Sequence, residues 1–496
     1  IAACLYHCIK DIDKKFLVVG GDISGIQNFI YRITKSHGEG GIAKRLRGRS
    51  FYLVLFQEII AKYIVEKAGL FIPNILFCGG GRFELLLPNT EEVKKLIEEV
   101  RKDVNEWLLK EHGGELGLIL EGVETDQKGL ASYNTLLNEL DEKLSKSKKR
   151  KFISSFNDPK FFIEDLEKDY FLKICKVCDI NKVTEEEQPC EHCKTHKDIG
   201  TILPKSRYII FAKKELEEGS GLLVPFDKFG VVYLAEEIEE RELEADDVLD
   251  IQTINNLQNL RTNFRCIANT APVALSDFSL NGSESEDEKV EEGNVLSFEL
   301  IADASIGDKR IGILKMDVDY LGLIFTMGLT DEEKSSEKSV SQKSISRIAT
   351  LSRSMDIFFS GYLNKICDDV YKEWREDENN KWKYKDKVNQ IFYITYSGGD
   401  DLLIVGPWSE MPKLAKKIYE EFKEYTCNNS DISISAGIFF CKPKFPISIS
   451  ARIAGRLLEI SKDEGRGRIT LFGDTVKFLD DKVNFNEIFD FGEKLF

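Results

Sequence analysis

The chain has 496 residues, 42% of them apolar, enough for two to four domains with cores of their own. A formal net charge of -16 argues against a general nucleic-acid coat while leaving room for a local basic groove. No uncharged apolar run approaches the roughly 18 residues of a membrane span, and no charged-then-apolar leader opens the chain; a cytoplasmic protein with no membrane partner is expected.

In chain order, residues 1–150 are expected to form a first unit. Its elements are strand Phe16 to Ile23, a helix around Ser50 to Ala68, a hairpin around Gly79-Gly80-Gly81, helix Glu91 to Lys110 and strand Leu116 to Leu120. Lys44, Arg45, Arg47 and Arg49 make a candidate nucleic-acid patch or, equally, a solvated basic loop.

Residues 151–300 read as a helical linker domain. Cys175-x-x-Cys178 and Cys190-x-x-Cys193 each offer two thiolates from a tight turn, and four such ligands suit a tetrahedral structural zinc with no open position for catalysis. A redox dithiol and an iron–sulfur site are the competing readings. His192 and His196 lie near enough to substitute, though four cysteines make that unnecessary. Cys78, Cys266 and Cys441 sit among apolar residues as core thiols. The acidic stretch Ser283 to Glu292 reads as a flexible loop.

Residues 301–475 repeat the order of the first unit. Strand Ile311 to Val318, a helix around Ile345 to Cys367, a hairpin around Gly398-Gly399, helix Pro412 to Thr426 and strand Ile432 to Phe440 follow one another. Thr330 to Ser344 and Tyr371 to Asn389 are read as surface insertions that lengthen this copy. Residues 476–496 are a tail. Strand, helix, strand, strand, helix, strand is a ferredoxin-like arrangement, so the fold class is α+β: two ferredoxin-like units, each an antiparallel sheet covered by helices on one face, with a zinc-binding domain between them.

The chemistry gathers in the later copy. Asp317 and Asp319 close a strand and, two residues apart, project the same way. Ser397-Gly398-Gly399-Asp400-Asp401 reads as a hairpin whose tip presents carboxylates, although Gly-Gly-Asp is also a plain turn signal. Together these residues suit a hard divalent cation and phosphoryl transfer. In the earlier copy Asp22 matches Asp317, while Gly81 and Arg82 stand where Asp400 and Asp401 stand. Gly79 and Gly80 could still let backbone amides approach phosphates.

These residues resemble the large palm-domain subunit of type III CRISPR effector complexes, the Cas-ten family, and within it Csm subunit one. The resemblance rests on Gly21-Asp22-Ile23-Ser24-Gly25-Ile26-Gln27, the Cys-x-x-Cys pairs, Lys315-Met316-Asp317-Val318-Asp319-Tyr320-Leu321-Gly322 and the Gly-Gly-Asp-Asp hairpin, in the family's order over nearly the whole chain. It implies two palm (nucleotidyl-cyclase-like) domains facing a cleft that binds ATP and makes cyclic oligoadenylate when target RNA is held. Asp317, Asp400 and Asp401 would hold magnesium or manganese, with the Val318 carbonyl a further ligand. Asp319 either joins them or caps the following turn. Gly322, Ser397, Gly398, Gly399 and Lys462 would approach the nucleotide, Lys462 otherwise being a solvated helix-end lysine.

The implied partners are the other subunits of the type III-A complex, above all the one holding the guide-RNA 5′ end, with guide RNA and target RNA reached through the complex. No histidine here is followed by aspartate, so the family's nuclease signature is missing and no DNA cleavage by this chain is expected; its helical C-terminal domain also looks absent. A GTP-using cyclic dinucleotide cyclase and a silent scaffold are the alternative functions. A monomer or weak dimer is expected.

Overall fold

The computed structural model of the protein describes residues 16–32, 41–152, 173–184, 189–217, 219–243, 246–257, 261–279, 289–327, 344–378, 380–479 and 484–485. His7, Thr330 to Lys343 and most of the acidic stretch lie outside them. Among the described residues no helix is long and apolar enough to cross a membrane.

The first unit runs β1 (Phe16–Ser24), α1 (Ile26–Tyr31), α2 (Ile42–Lys67), β2 (Ile75–Gly79), β3 (Arg82–Pro88), α3 (Glu91–His112), β4 (Gly117–Thr125) and α4 (Tyr133–Lys148). Its sheet has the order β2-β3-β1-β4 with every neighbour antiparallel, the ferredoxin-like topology. Strand β1 is apolar on both sides. Leu17 and Val19 join the main core, while Phe16 and Val18 pack with Leu136, Leu140 and Leu144 of α4. A sheet covered on one face was expected; this one is covered on both, because α4 adds an apolar stripe beneath it. A Cβ at Gly20 would lie 2.9 Å from Leu140 Cδ2, so glycine there lets the helix seat closely.

The middle of the chain corrects the helical linker. After α5 (Glu191–Ile202) come β5 (Tyr208–Ala212), β6 (Leu222–Pro225), β7 (Val231–Ala235), β8 (Val248–Ile254) and β9 (Asn263–Arg265), joined as a five-stranded sheet of order β9-β8-β5-β7-β6. Runs such as Tyr-Ile-Ile-Phe-Ala and Val-Val-Tyr-Leu-Ala are β-branched and aromatic, which favours strands. Within the acidic stretch, the described Lys289–Val290 pairs antiparallel with Phe278–Ser279 rather than looping free.

Helix α5 crosses α2 at two glycines. A Cβ on Gly48 would lie 1.6 Å from the His196 carbonyl oxygen, and one on Gly200 1.8 Å from that of Lys44. Gly48→Val must push the helices apart. We expect it to cost about 2–3 kcal/mol, read as a lower melting temperature; a melting temperature equal to wild type would contradict this crossing.

The second unit runs β10 (Ile311–Val318), α6 (Leu321–Met327), α7 (Ile345–Ile357), a π-helical turn Phe358–Tyr362, α8 (Leu363–Glu376), β11 (Tyr393–Gly398), β12 (Asp401–Pro407), α9 (Met411–Tyr425), β13 (Ile434–Cys441), α10 (Ile447–Asp463), β14 (Arg468–Leu471) and β15 (Asp474–Lys477). The sheet order is β11-β12-β10-β13-β14-β15, its first four strands repeating the first unit's order.

Two further expectations are revised here. Tyr371 to Asn389 is no surface insertion: Tyr371, Trp374, Tyr384 and Val388 are buried in the main core, Tyr371 and Trp374 on the apolar face of α8. The tail boundary is also too early, since β15 crosses residue 476 and Phe478 is buried, stacked on Tyr419 at 4.2 Å.

The basic patch is neither a nucleic-acid surface nor a solvated loop. Helix α2 begins at Ile42, and Arg45, Arg47 and Arg49 are buried on it. Arg47 Nη2 donates to the carbonyls of Thr270 and Ile394, and its guanidinium lies 4.6 Å from the Tyr393 ring centroid. Tyr393 in turn donates to the Ala43 carbonyl at 2.9 Å. Arginine satisfies several carbonyls while stacking on an aromatic ring, so it can cross a buried interface. Thus α2 of the first unit is tied to β11 of the second.

Candidate functional site

The two hairpins are built alike. In the later one Gly398 pairs with Asp401, leaving Gly399 and Asp400 as the two-residue tip, with Gly399 at φ +73°. In the earlier one Gly79 pairs with Arg82, and Gly80 and Gly81 take φ +60° and +82°. Val318 N donates to the Asp400 carbonyl at 3.0 Å, and Ile23 N donates to that of Gly81 at 2.8 Å. The backbone therefore repeats down to one hydrogen bond.

The side chains do not repeat. Asp317 faces Asp401 across the β10–β12 pair, so two carboxylates, with Asp400 at the tip, share one end of the sheet. In the first unit Asp22 faces Arg82. Lys148 lies 2.6 Å from Asp22, and Arg82 reaches Glu84 at 3.0 Å and also Asp141. There each carboxylate is already paired with a cation of the chain, Asp22 with Lys148 and both Glu84 and Asp141 with Arg82.

Electrostatics sets the second unit apart. Loss of water pushes the Asp400 carboxyl up to about 6, with Asp317 adding to the shift and Lys462 opposing it. Loss of water pushes Asp401 up to about 7, while Lys315 opposes and both Asp400 and Asp317 add. Asp317 is raised by burial, against the pull of Lys462, whose Nζ donates to its Oδ1. Tyr396 donates to Asp401 Oδ2 at 3.2 Å. Raised carboxylates close together in a cleft mark a site waiting for positive charge.

A pH dependence follows. Asp400 and Asp401 hold protons more tightly folded than unfolded, so the stability they add is complete below about pH 4, the unfolded carboxyl value. It is lost as pH rises through about 6 and 7. Without added divalent cation, the fall in melting temperature from pH 4 to 8 should be shallower for Asp401→Asn than for wild type. Parallel curves would contradict the charge crowding.

Asp319 is committed elsewhere. It is 1% exposed, and its carboxylate accepts from Ser433 Oγ at 2.6 Å, Ser435 Oγ at 2.8 Å and Gly467 N at 3.1 Å. Of its two readings, the strand-end carboxylate that fixes the following backbone fits, and a place among the metal ligands does not. Ser397 Oγ donates to the Phe359 carbonyl at 2.7 Å, tying the hairpin to the π-helical turn. Gly322, second in α6, has open space where a Cβ would be. Lys462 stands in the last turn of α10 rather than beyond it, reaching Asp317.

The hairpin tips meet: a Cβ on Gly399 would be 4.0 Å from Gly80 Cα. Behind them a cleft opens, lined by Gly79 and Gly80 on one side, Ser397 and Gly398 on the other, and by Gln57 and Arg47 of α2. Tyr31 of the first unit is half-buried, and loss of water raises its hydroxyl, opposed by Tyr396 and helped by the charge of Asp401. Tyr31, Gln57 and Tyr396 went unnoticed in the sequence. Nothing in their local pattern marks them, because it is the pairing of the two units that brings them to the site.

The four cysteines converge. Cys175, Cys178, Cys190 and Cys193 are buried, with sulfurs all within 4.8 Å of one another, the one such group of potential metal ligands among the described residues. Cys178 Sγ and Cys190 Sγ are 3.8 Å apart, close to the edge of a tetrahedron with metal–sulfur bonds of about 2.3 Å. The donor set fits zinc. Neither histidine competes: His192 sits 3.2 Å from Glu111, and His196 is buried edge-on to Tyr52 and Phe29. Cys441 is buried as expected, whereas Cys78 and Cys266 are only half-buried, Cys266 lining the cleft. The carboxylates of Asp317, Asp400 and Asp401 are not gathered as tightly as the sulfurs. They repel, and Lys462 draws Asp317 aside.

The chain is similar to known proteins. Residues 15–165 match the family model described as Csm1 subunit domain B, and residues 310–470 match the one described as Cas10/Cmr2, second palm domain. The chain is 29% identical over 494 residues to a CRISPR system single-strand-specific deoxyribonuclease Cas10/Csm1 (subtype III-A) of Methanocaldococcus jannaschii, covering 90% of this chain and 56% of that protein. It superposes, with a TM-score of 0.66 and 25% identity, on a Csm1-Csm4 cassette in complex with one ATP, covering 95% of this chain and 57% of the other. It matches a Csm1-Csm4 cassette in complex with cA3 at the same score and identity, covering 98% and 59%. The chain thus spans little more than half the length of the relatives it matches.

Proposed function

We propose, since this chain belongs to the Cas10/Csm1 family of subtype III-A CRISPR proteins, that it is the palm-bearing part of a synthetase that joins ATP into cyclic oligoadenylate. Residues 1–150 are the first palm, and the second runs from 301 through β15 to the buried Phe478, with the cysteine-bearing region between them. The observation that carries this reading is the asymmetry of the paired hairpins: Asp317, Asp400 and Asp401 on one side, Asp22 neutralised by Lys148 and faced by Arg82 on the other.

Asp317, Asp400 and Asp401 are the residues that would hold magnesium or manganese, with the Val318 carbonyl beside them. Such cations, when bound, neutralise triphosphate charge and acidify a ribose hydroxyl. The chain's own residues supply the rest. Asp400 and Asp401, pushed up by burial, release protons as positive charge arrives. Lys462 passes from Asp317 to a phosphate oxygen of the incoming nucleotide. Gly79, Gly80, Gly398 and Gly399 carry no side chains at the tips, so backbone amides can lie against phosphates. The first palm holds the second ATP by shape and charge alone.

The cysteine cluster holds a structural zinc and, through α5, braces α2. The partner is a neighbouring subunit of the kind found as Csm4 beside Csm1 in the matched cassettes, with guide RNA and target RNA reached through the assembly. Single-stranded DNA cleavage, which names the archaeal relative, is not assigned to this chain.

The test supplies the chain, alone and in the reconstituted complex with target RNA, with manganese and either ATP or GTP, and resolves products by chromatography and mass. Cyclic adenylates are expected. Products from GTP alone would favour a cyclic dinucleotide cyclase, and no product under any condition would leave a scaffold.

A further inference from the structure

The cleft behind the hairpin tips contains polar groups that the fold leaves unsatisfied. Gln57, on the face of α2 that lines the cleft, is 1% exposed, and neither Oε1 nor Nε2 has a hydrogen-bond partner among the described residues. Thr395 Oγ1, on β11 and also lining the cleft, is likewise buried and unpartnered, as is Arg47 Nη1. A buried amide left unpaired forfeits its hydration without recompense, and folds retain such groups where a ligand or water completes them. The nearby Asp356, by contrast, is engaged by Ser360 at 2.9 Å.

Resting on the nucleotide reading above, we propose that this cleft is the nucleobase pocket and that Gln57 is the residue that selects adenine. A primary amide presents an acceptor and a donor side by side. This matches the N6–H and N7 of adenine, where Oε1 accepts and Nε2 donates, the bidentate pairing by which glutamine reads adenine in nucleic acids. The corresponding edge of guanine, O6 and N7, offers two acceptors and leaves Oε1 facing a lone pair. Thr395 contributes a second polar contact from β11. The base would lie behind the tips, with its phosphates toward the end of the hairpin where Gly398 of the cleft wall pairs with Asp401.

The experiment is equilibrium titration of the full chain with ATP and with GTP in manganese, for wild type, Gln57→Leu and Thr395→Val, with melting temperatures as a check on folding. Wild type should prefer ATP. Gln57→Leu should lose about 10- to 100-fold in ATP affinity, with GTP affinity little changed. Thr395→Val should weaken ATP in the same direction, and neither variant should melt below wild type, because each removes an unsatisfied polar group. Undiminished ATP preference in both variants overturns the pocket while leaving the cyclase reading intact. Wild type that binds neither nucleotide overturns both.

Discussion

The Asp400→Ala, Asp401→Ala double variant should lose product formation by a factor on the order of 10³ or more while remaining folded. The two residues carry most of the negative charge at the end of the β10–β12 pair, and no other described carboxylate can replace them. Asp319 is fully occupied by Ser433, Ser435 and Gly467, and Asp22 lies on the other unit against Lys148. Asp317 remains, but it already accepts from Lys462. Folding should survive because both carboxylates are raised by burial, so each is a cost to the apo fold above neutral pH. Pyrophosphate release in the reconstituted complex measures the loss. Turnover within tenfold of wild type would remove these residues from the chemistry.

The second large effect concerns the cysteines. Cys190→Ser, or prolonged chelation, should lower the melting temperature by more than any surface substitution, on the order of 10 °C, and expose residues 173–193 to proteolysis. Four buried sulfurs within 4.8 Å are held in place by little else: two two-residue strands and a small apolar cluster surround them. Structural zinc in such small motifs is worth about 10 kcal/mol or more in isolated peptides. Here the loss passes to α5, whose N-terminus is Cys190, and from it to the glycine crossing with α2. Elemental analysis of protein purified without chelator should find one zinc per chain, and none would sink the assignment.

Much of the fold was legible because the repeat was. Strands β1 and β10 and both hairpins match their sequence expectation within a residue or two, since apolar runs bounded by glycine pairs leave few alternatives. The Asp317–Asp401 pairing follows from that register. What stayed hidden depends on tertiary partners. Arg45, Arg47 and Arg49 look like a solvated patch, and only the packing of β11 and of Phe29 against α2 makes their burial possible. The five-stranded sheet between the units is not legible because short apolar runs such as Tyr208–Ala212 do not separate a buried strand from a helix by period alone. Asp319 could not be sorted from Asp317 by period alone; the serines that claim it lie at 433 and 435, on β13 and its approach. Gln57 reads as an ordinary helix residue until the second unit closes over it.

The cleft is expected to take two nucleotides, with cation chemistry on one side only. Titrating the chain with a non-transferable ATP analogue and manganese, and counting both ligands, tests it most directly. Two nucleotides per chain are expected, with tight manganese sites abolished by Asp400→Ala, Asp401→Ala and untouched by Asp22→Ala. Manganese binding that survives the double variant, or that disappears with Asp22, would contradict it.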